Sequence, residues 1–147
     1  MATRQAIVKQ LRGITFAAKS DSNHWVTMDG PEEFGGSGAG PQAKELILMA
    51  LGGCTASDVV SILKKKRSPI ENLEVHLTAN VSDEHPKVYT DIHVEFVCFG
   101  EGIDPKDVER AIELSTTKYC VAYAMLKASV NITHAYRIEV PERIVAD

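Results

Sequence analysis

The chain has 147 residues, 44% of them hydrophobic and 24% charged, which excludes disorder and fibrous repeats and fits a single domain over residues 1–147. A net charge of −4 and a sequence pI near 5.7, with one dense basic cluster at Lys64-Lys65-Lys66-Arg67, argue against nucleic-acid binding. Three cysteines without C-x-x-C spacing or a neighbouring histidine argue against both a disulfide framework and a structural zinc site.

The N-terminal run MATRQAIVKQ has no apolar segment followed by a small-residue cleavage site, and no window of about 18 consecutive apolar residues is present. A cytoplasmic protein without membrane association is the expectation. Residues 3–28 hold short apolar runs at Ala6-Ile7-Val8, Ile14-Thr15-Phe16 and His24 to Met28, broken by Arg12-Gly13 and Ser20 to Asn23. These predict two or three antiparallel strands. Residues 29–41, DGPEEFGGSGAGP, predict a flexible connection.

From Ala43 to Arg67 the chain is apolar on nearly all sides until its lysine-rich end, which predicts a buried helix about 37 Å long. So much apolar surface exceeds what one small sheet covers, and a partner chain is expected. Alternation over 73–81 and 88–98, with Ser82 to Lys87 between, predicts a hairpin. Asp104-Pro105 then supplies an N-cap and a proline at N1 for a helix running to Tyr119. A second helical stretch near 121–129 and a final strand from Ile132 to Val140 complete an α+β order.

Cys98 lies in phase with Val94 and Phe96, where cysteine behaves as a small hydrophobe. Cys54 and Cys120 lie in or beside helices, and core packing and reactivity are both open for them. Gly52-Gly53 costs roughly 2 kcal/mol relative to two alanines inside a helix, so something is expected to approach the backbone beside Cys54. Asp58 is one helical turn from Cys54 and has the wrong sign to lower a thiol pKa; its expected role is that of a hydrogen-bond acceptor. Lys44 is too far along and around the same helix to serve, so a cation must come from another segment such as Arg12, or from a second subunit. His76, His85 and His93 read as solvated, while His24 and His134 share apolar strands and can reach a cleft. No dinucleotide, Walker, nucleophile-elbow or H-E-x-x-H motif is present.

The stretches Glu45 to Leu63 around LGGCTASDVV, Glu84 to Val88, Arg110 to Ser115, Lys118-Tyr119-Cys120 and Asn131 to His134, with Met28-Asp29-Gly30, resemble the osmotically inducible protein C and organic hydroperoxide resistance (OsmC/Ohr) superfamily, most closely its YhfA-like branch. The resemblance implies an intertwined homodimer with antiparallel sheets wrapped around two long central helices. It also implies a thiol peroxidase without metal or other cofactor. Cys54 would attack an organic hydroperoxide and become a sulfenic acid, Cys120 would resolve it to a disulfide, and a cellular dithiol would reduce that. In the peroxidases of this family an N-terminal arginine and a glutamate ten residues before the reactive cysteine activate the thiolate. Lys44 stands at the glutamate position here, which leaves Glu45 and Arg12 as candidates for a shifted pair. Tyr119 and Val121 to Met125 are candidates for an apolar pocket wall or for core. The alternative from another class is a redox-sensing or small-molecule-binding dimer that keeps the scaffold without turnover.

Overall fold

The computed structural model describes residues 1–142, and the chain folds as two compact units, Met1–Met49 and Ala50–Asp147. The boundary falls inside the long helix. In the first unit, β1 (Ala6–Arg12), β2 (Thr15–Ser20) and β3 (Val26–Met28) form an antiparallel meander in the order β1-β2-β3. Gly13 makes the first turn at φ +53°, a conformation in which a side chain is strained. All seven residues of β1 are exposed, whereas β2 buries Thr15 and Ala18.

Residues 29–41 are not the flexible connection expected from their glycines. The buried Asp29 carboxylate gathers the backbone N–H groups of Gly30, Ser37 and Ala39 and the Thr15 hydroxyl at 2.8–3.2 Å. Its own N–H donates to Pro41 O at 2.9 Å. Those donors hold the carboxyl below its ordinary value, the Ala39 N–H foremost and against the opposing effect of desolvation.

The helix α1 (Ala43–Lys65) starts and stops by recognisable chemistry. Glu45, at N3, reaches back to accept from Gln42 N at 2.7 Å, one half of a capping box. At the other end Arg67 takes φ +58°, and Arg67 N→Lys64 O with Ser68 N→Leu63 O forms a Schellman motif. Only Leu51, Gly52, Thr55, Val59 and Leu63 of α1 are buried, and Ile47 and Met49 are exposed. By length and composition α1 reaches what a membrane crossing needs, contrary to the expectation that no such window exists. Within the second unit its mid-helix Asp58 accepts a hydrogen bond from Ser115 and its Thr55 is buried.

In the second unit β4 (Asn72–Val81), β5 (Tyr89–Phe99) and β6 (Asn131–Glu139) form a sheet with β5 central. The β4–β5 hairpin is antiparallel, with Leu77 opposite Val94 and Leu73 opposite Cys98. β6 pairs parallel to β5, so this sheet is mixed where antiparallel pairing throughout was expected. The reason is the connection: α2 (Pro105–Leu114), a π-helical turn (Ser115–Tyr119) and α3 (Val121–Leu126) form the long crossover that a parallel partner requires. Asp104 caps α2 through Lys106 N, with Pro105 at N1, as its sequence implies. The expected α-helix to Tyr119 ends at Leu114 instead, where the π turn begins. The core of this unit comprises Leu51, Val59 and Leu63 of α1, Ile92, Val94, Phe96, Val97 and Cys98 of β5 and Val108, Ala111 and Ile112 of α2.

Candidate functional site

Cys54 and Asp58 share one face of α1 because they are one turn apart. Opposite them, α2 carries its buried stripe Val108, Ala111 and Ile112 on to Ser115, which is fully buried and places a hydroxyl where the pattern calls for an apolar group. Ser115 Oγ donates to Asp58 Oδ2 at 2.9 Å, joining the two elements. The expectation that Asp58 is a hydrogen-bond acceptor is met by this bond.

The π turn then delivers the second thiol. Cys120 N donates to Ser115 O at 2.8 Å, after which Cys120 leaves the helical region at φ −72°, ψ 108°. A π turn inserts a residue into the helical repeat and rotates the chain beyond it, a feature often seen at functional sites. Cys120 Sγ accepts from Tyr123 N at 3.3 Å. As a result Cys54 Sγ, Cys120 Sγ and an Asp58 carboxylate oxygen all lie within 4.8 Å of one another. All three cysteines are free thiols.

The two thiols differ in environment. Cys54 is half-buried, whereas Cys120 is 2% exposed. Burial first, then a hydrogen bond with Cys54 and the negative charges of Cys54 and Asp58, push the Cys120 pKa up from 9.0 to about 12, against the opposing Tyr123 N–H. Cys120 therefore keeps its proton at neutral pH. A buried acceptor thiol next to a more accessible one is the arrangement in which the accessible sulfur meets an incoming electrophile first. Two thiols and a carboxylate within this radius are also the donor set of a transition-metal centre. Cys98 is fully buried on β5, and desolvation raises its pKa, as its apolar phase implies.

Arg12 and Glu45 are exposed residues of the first unit and make no ion pair with each other; Glu45 is engaged at the N-cap of α1. His24 is exposed in the first unit. His134 lines a cleft of about 680 Å³ with Ile112, Thr116, Tyr123 and Tyr136. Tyr119 is 49% exposed, lies beneath Lys118 Nζ at 5.3 Å and does not line this cleft, whereas Tyr123 does. Gly52 gives clearance within its own unit: a Cβ there would lie 2.7 Å from Leu77 Cδ1 of β4. Gly53 faces open space. Ser115 is the participant that sequence reading passes over, although its hydroxyl in the buried stripe of α2 is a visible signal.

Residues 35–135 match the sequence model of OsmC-like proteins. Protein YhfA of Escherichia coli (strain K12) is 42% identical over 134 residues, covering 91% of this chain and 97% of that protein. The crystal structure of a hypothetical protein from Aquifex aeolicus VF5 superposes with a TM-score of 0.84 at 30% identity, covering 97% of this chain and 100% of that one. An organic hydroperoxide resistance protein OsmC from Legionella pneumophila shares the fold with a TM-score of 0.65 at 13% identity, over 92% and 97% of the two chains. With its two sheets, long helix and paired thiols, this chain belongs to the OsmC-like family.

Proposed function

We propose that this chain is a cytoplasmic, homodimeric thiol peroxidase that reduces organic hydroperoxides with Cys54 as the attacking and Cys120 as the resolving cysteine. The observation that carries the reading is the pairing of an accessible and a buried thiol whose sulfurs lie within 4.8 Å. Family membership and the fold shared with an organic hydroperoxide resistance protein support it.

The Cys54 thiolate attacks one oxygen of the peroxide. An S–O bond forms as the O–O bond breaks, the alcohol leaves with a proton, and the sulfur becomes a sulfenic acid. Cys120 then attacks Cys54 Sγ; the S–S bond forms, the S–O bond breaks, and the hydroxyl departs as water with the proton Cys120 held. Bridging sulfurs that start within 4.8 Å requires closing by less than about 3 Å to the disulfide length. A cellular dithiol supplies the two electrons that restore the thiols. The cleft beside Tyr123, one turn from Cys120, suits the alkyl part of the substrate. Arg12 is the cation this reading assigns to the Cys54 thiolate. Glu45 remains its proposed carboxylate partner, although here it also closes the N-cap of α1.

The test is turnover of cumene hydroperoxide and hydrogen peroxide in excess dithiothreitol, with the Cys54–Cys120 disulfide followed by mass spectrometry. The expected result is catalytic consumption, faster for the organic peroxide and abolished in Cys54→Ser. Stoichiometric oxidation without turnover would favour a redox-sensing dimer, a reading supported by Asp58, which sits beside the thiols with no ion pair among the described residues. Thiols that stay reduced under excess peroxide would remove both readings.

A further inference from the structure

We propose that the reduced Cys54, Asp58 and Cys120 form a binding site for a soft divalent transition metal, zinc above all, with an open fourth coordination position. The geometry of the cluster carries this site, which does not require peroxidase turnover.

Two ligands one turn apart on a helix with a third from a separate segment make a metal site without a local spacing motif. Cys54 and Asp58 supply the first two from α1, and Cys120 the third from the junction of the π turn and α3. In tetrahedral zinc with sulfur at about 2.3 Å, sulfurs lie roughly 3.8 Å apart, so donor atoms already within 4.8 Å need to close by about 1 Å. The carboxylate is held from behind by the buried Ser115 hydroxyl at 2.9 Å, the kind of outer contact that orients a ligating oxygen. No ion pair occupies Asp58 among the described residues, so its charge is available to a cation. Thiolates select zinc and its neighbours over magnesium and calcium.

Binding transfers no electrons: the metal replaces the protons carried by the two thiols, and both sulfurs stay fully reduced. Three protein donors leave one position for water or an exogenous ligand, as in a catalytic rather than a structural centre. The cluster then has two exclusive states, metal-bound dithiolate and disulfide. Metal shields Cys54 from peroxide, and oxidation expels the metal.

The experiment titrates reduced, chelator-stripped protein with Co²⁺ and then Zn²⁺, following absorbance and proton release. One Co²⁺ per chain is expected, with a near-ultraviolet thiolate-to-cobalt band that Zn²⁺ abolishes. Cys54→Ser and Cys120→Ser, shown folded by circular dichroism, lose the band. Ser115→Ala weakens binding about tenfold. Cys98→Ser leaves it unchanged, and protein carrying the Cys54–Cys120 disulfide takes up none. No uptake at micromolar Zn²⁺ would overturn the site, as would uptake that survives both single cysteine variants. The two readings fail separately: an absent metal site leaves peroxide-driven disulfide formation measurable, and absent turnover leaves the cobalt band measurable.

Discussion

Cys120 owes its raised pKa first to burial, and the direction of that shift fixes a pH dependence. The unfolded thiol loses its proton near the ordinary 9.0, while the folded one holds it to about 12. Its contribution to stability is therefore complete below pH 9.0 and is lost as the pH climbs towards about 12. In urea unfolding at a series of pH values, the stability gap between reduced wild type and Cys120→Ala is expected to narrow over that window; a constant gap would contradict the shift. Asp29 has the opposite sign. Its pKa is lowered, so the stability it provides is present above the ordinary 3.8 and lost as the pH falls through its folded value. Asp29→Asn should unfold earlier than wild type at neutral pH and show a weaker acid transition. At this scale the two thiols are legible in the sequence because helix-embedded glycines and a family-like motif surround them. The role of Asp29 is not legible, because all its donors except the Thr15 hydroxyl are backbone N–H groups of the loop, at Gly30, Ser37 and Ala39, which no side-chain pattern announces.

Gly52 and Gly53 separate two explanations of the weakened centre of α1. A methyl group at Gly52 meets Leu77 Cδ1 at 2.7 Å, while one at Gly53 meets nothing in its own chain. Gly53→Ala should therefore stabilise an isolated chain by about 1 kcal/mol in urea unfolding, with Gly52→Ala neutral or destabilising. If Gly53→Ala destabilises instead, a second chain packs against that face. Arg67 holds the αL position that ends α1, so Arg67→Gly should add about 1 kcal/mol by relieving the Cβ clash. The strands, hairpin and capped helix follow from alternation and from Asp104-Pro105. Two features of the elements do not: the π turn and the parallel placement of β6. Residues 108, 111, 112, 115 and 119 keep helical spacing whether the last turn is α or π, so the pattern is blind to the insertion that aims Cys120 inward. The direction in which β6 pairs depends on a crossover path, while its own alternation reads the same either way.

Each compact unit leaves apolar side chains uncovered. Ile7, Val8, Leu11, Trp25, Val26, Ile47 and Met49 are exposed in the first, and Val88, Val121 and Met125 in the second. Scattered apolar exposure is ordinary, but an edge strand exposed along its whole length and an all-round apolar helix together call for a partner. Lys9 and Lys19 lie over the Trp25 ring at 5.8 and 5.1 Å, a polar cover for only part of the first sheet. A homodimer is the occupant that family membership supports. Light scattering should give a particle of about twice the 16.1 kDa chain mass. Val8→Asp combined with Ile47→Asp should shift the mass towards one chain and lower the peroxide rate with it, because both substitutions place a charge on surface that the dimer would bury. Mixing Arg12→Ala chains with Cys54→Ser chains extends the test to the site. Recovery of activity in the mixture would mean that Arg12 acts across the subunit boundary, whereas two inactive parents giving an inactive mixture would confine each site to one chain. A wild-type chain that stays monomeric and folded at micromolar concentration would sink the dimer and, with it, the account of the uncovered helix.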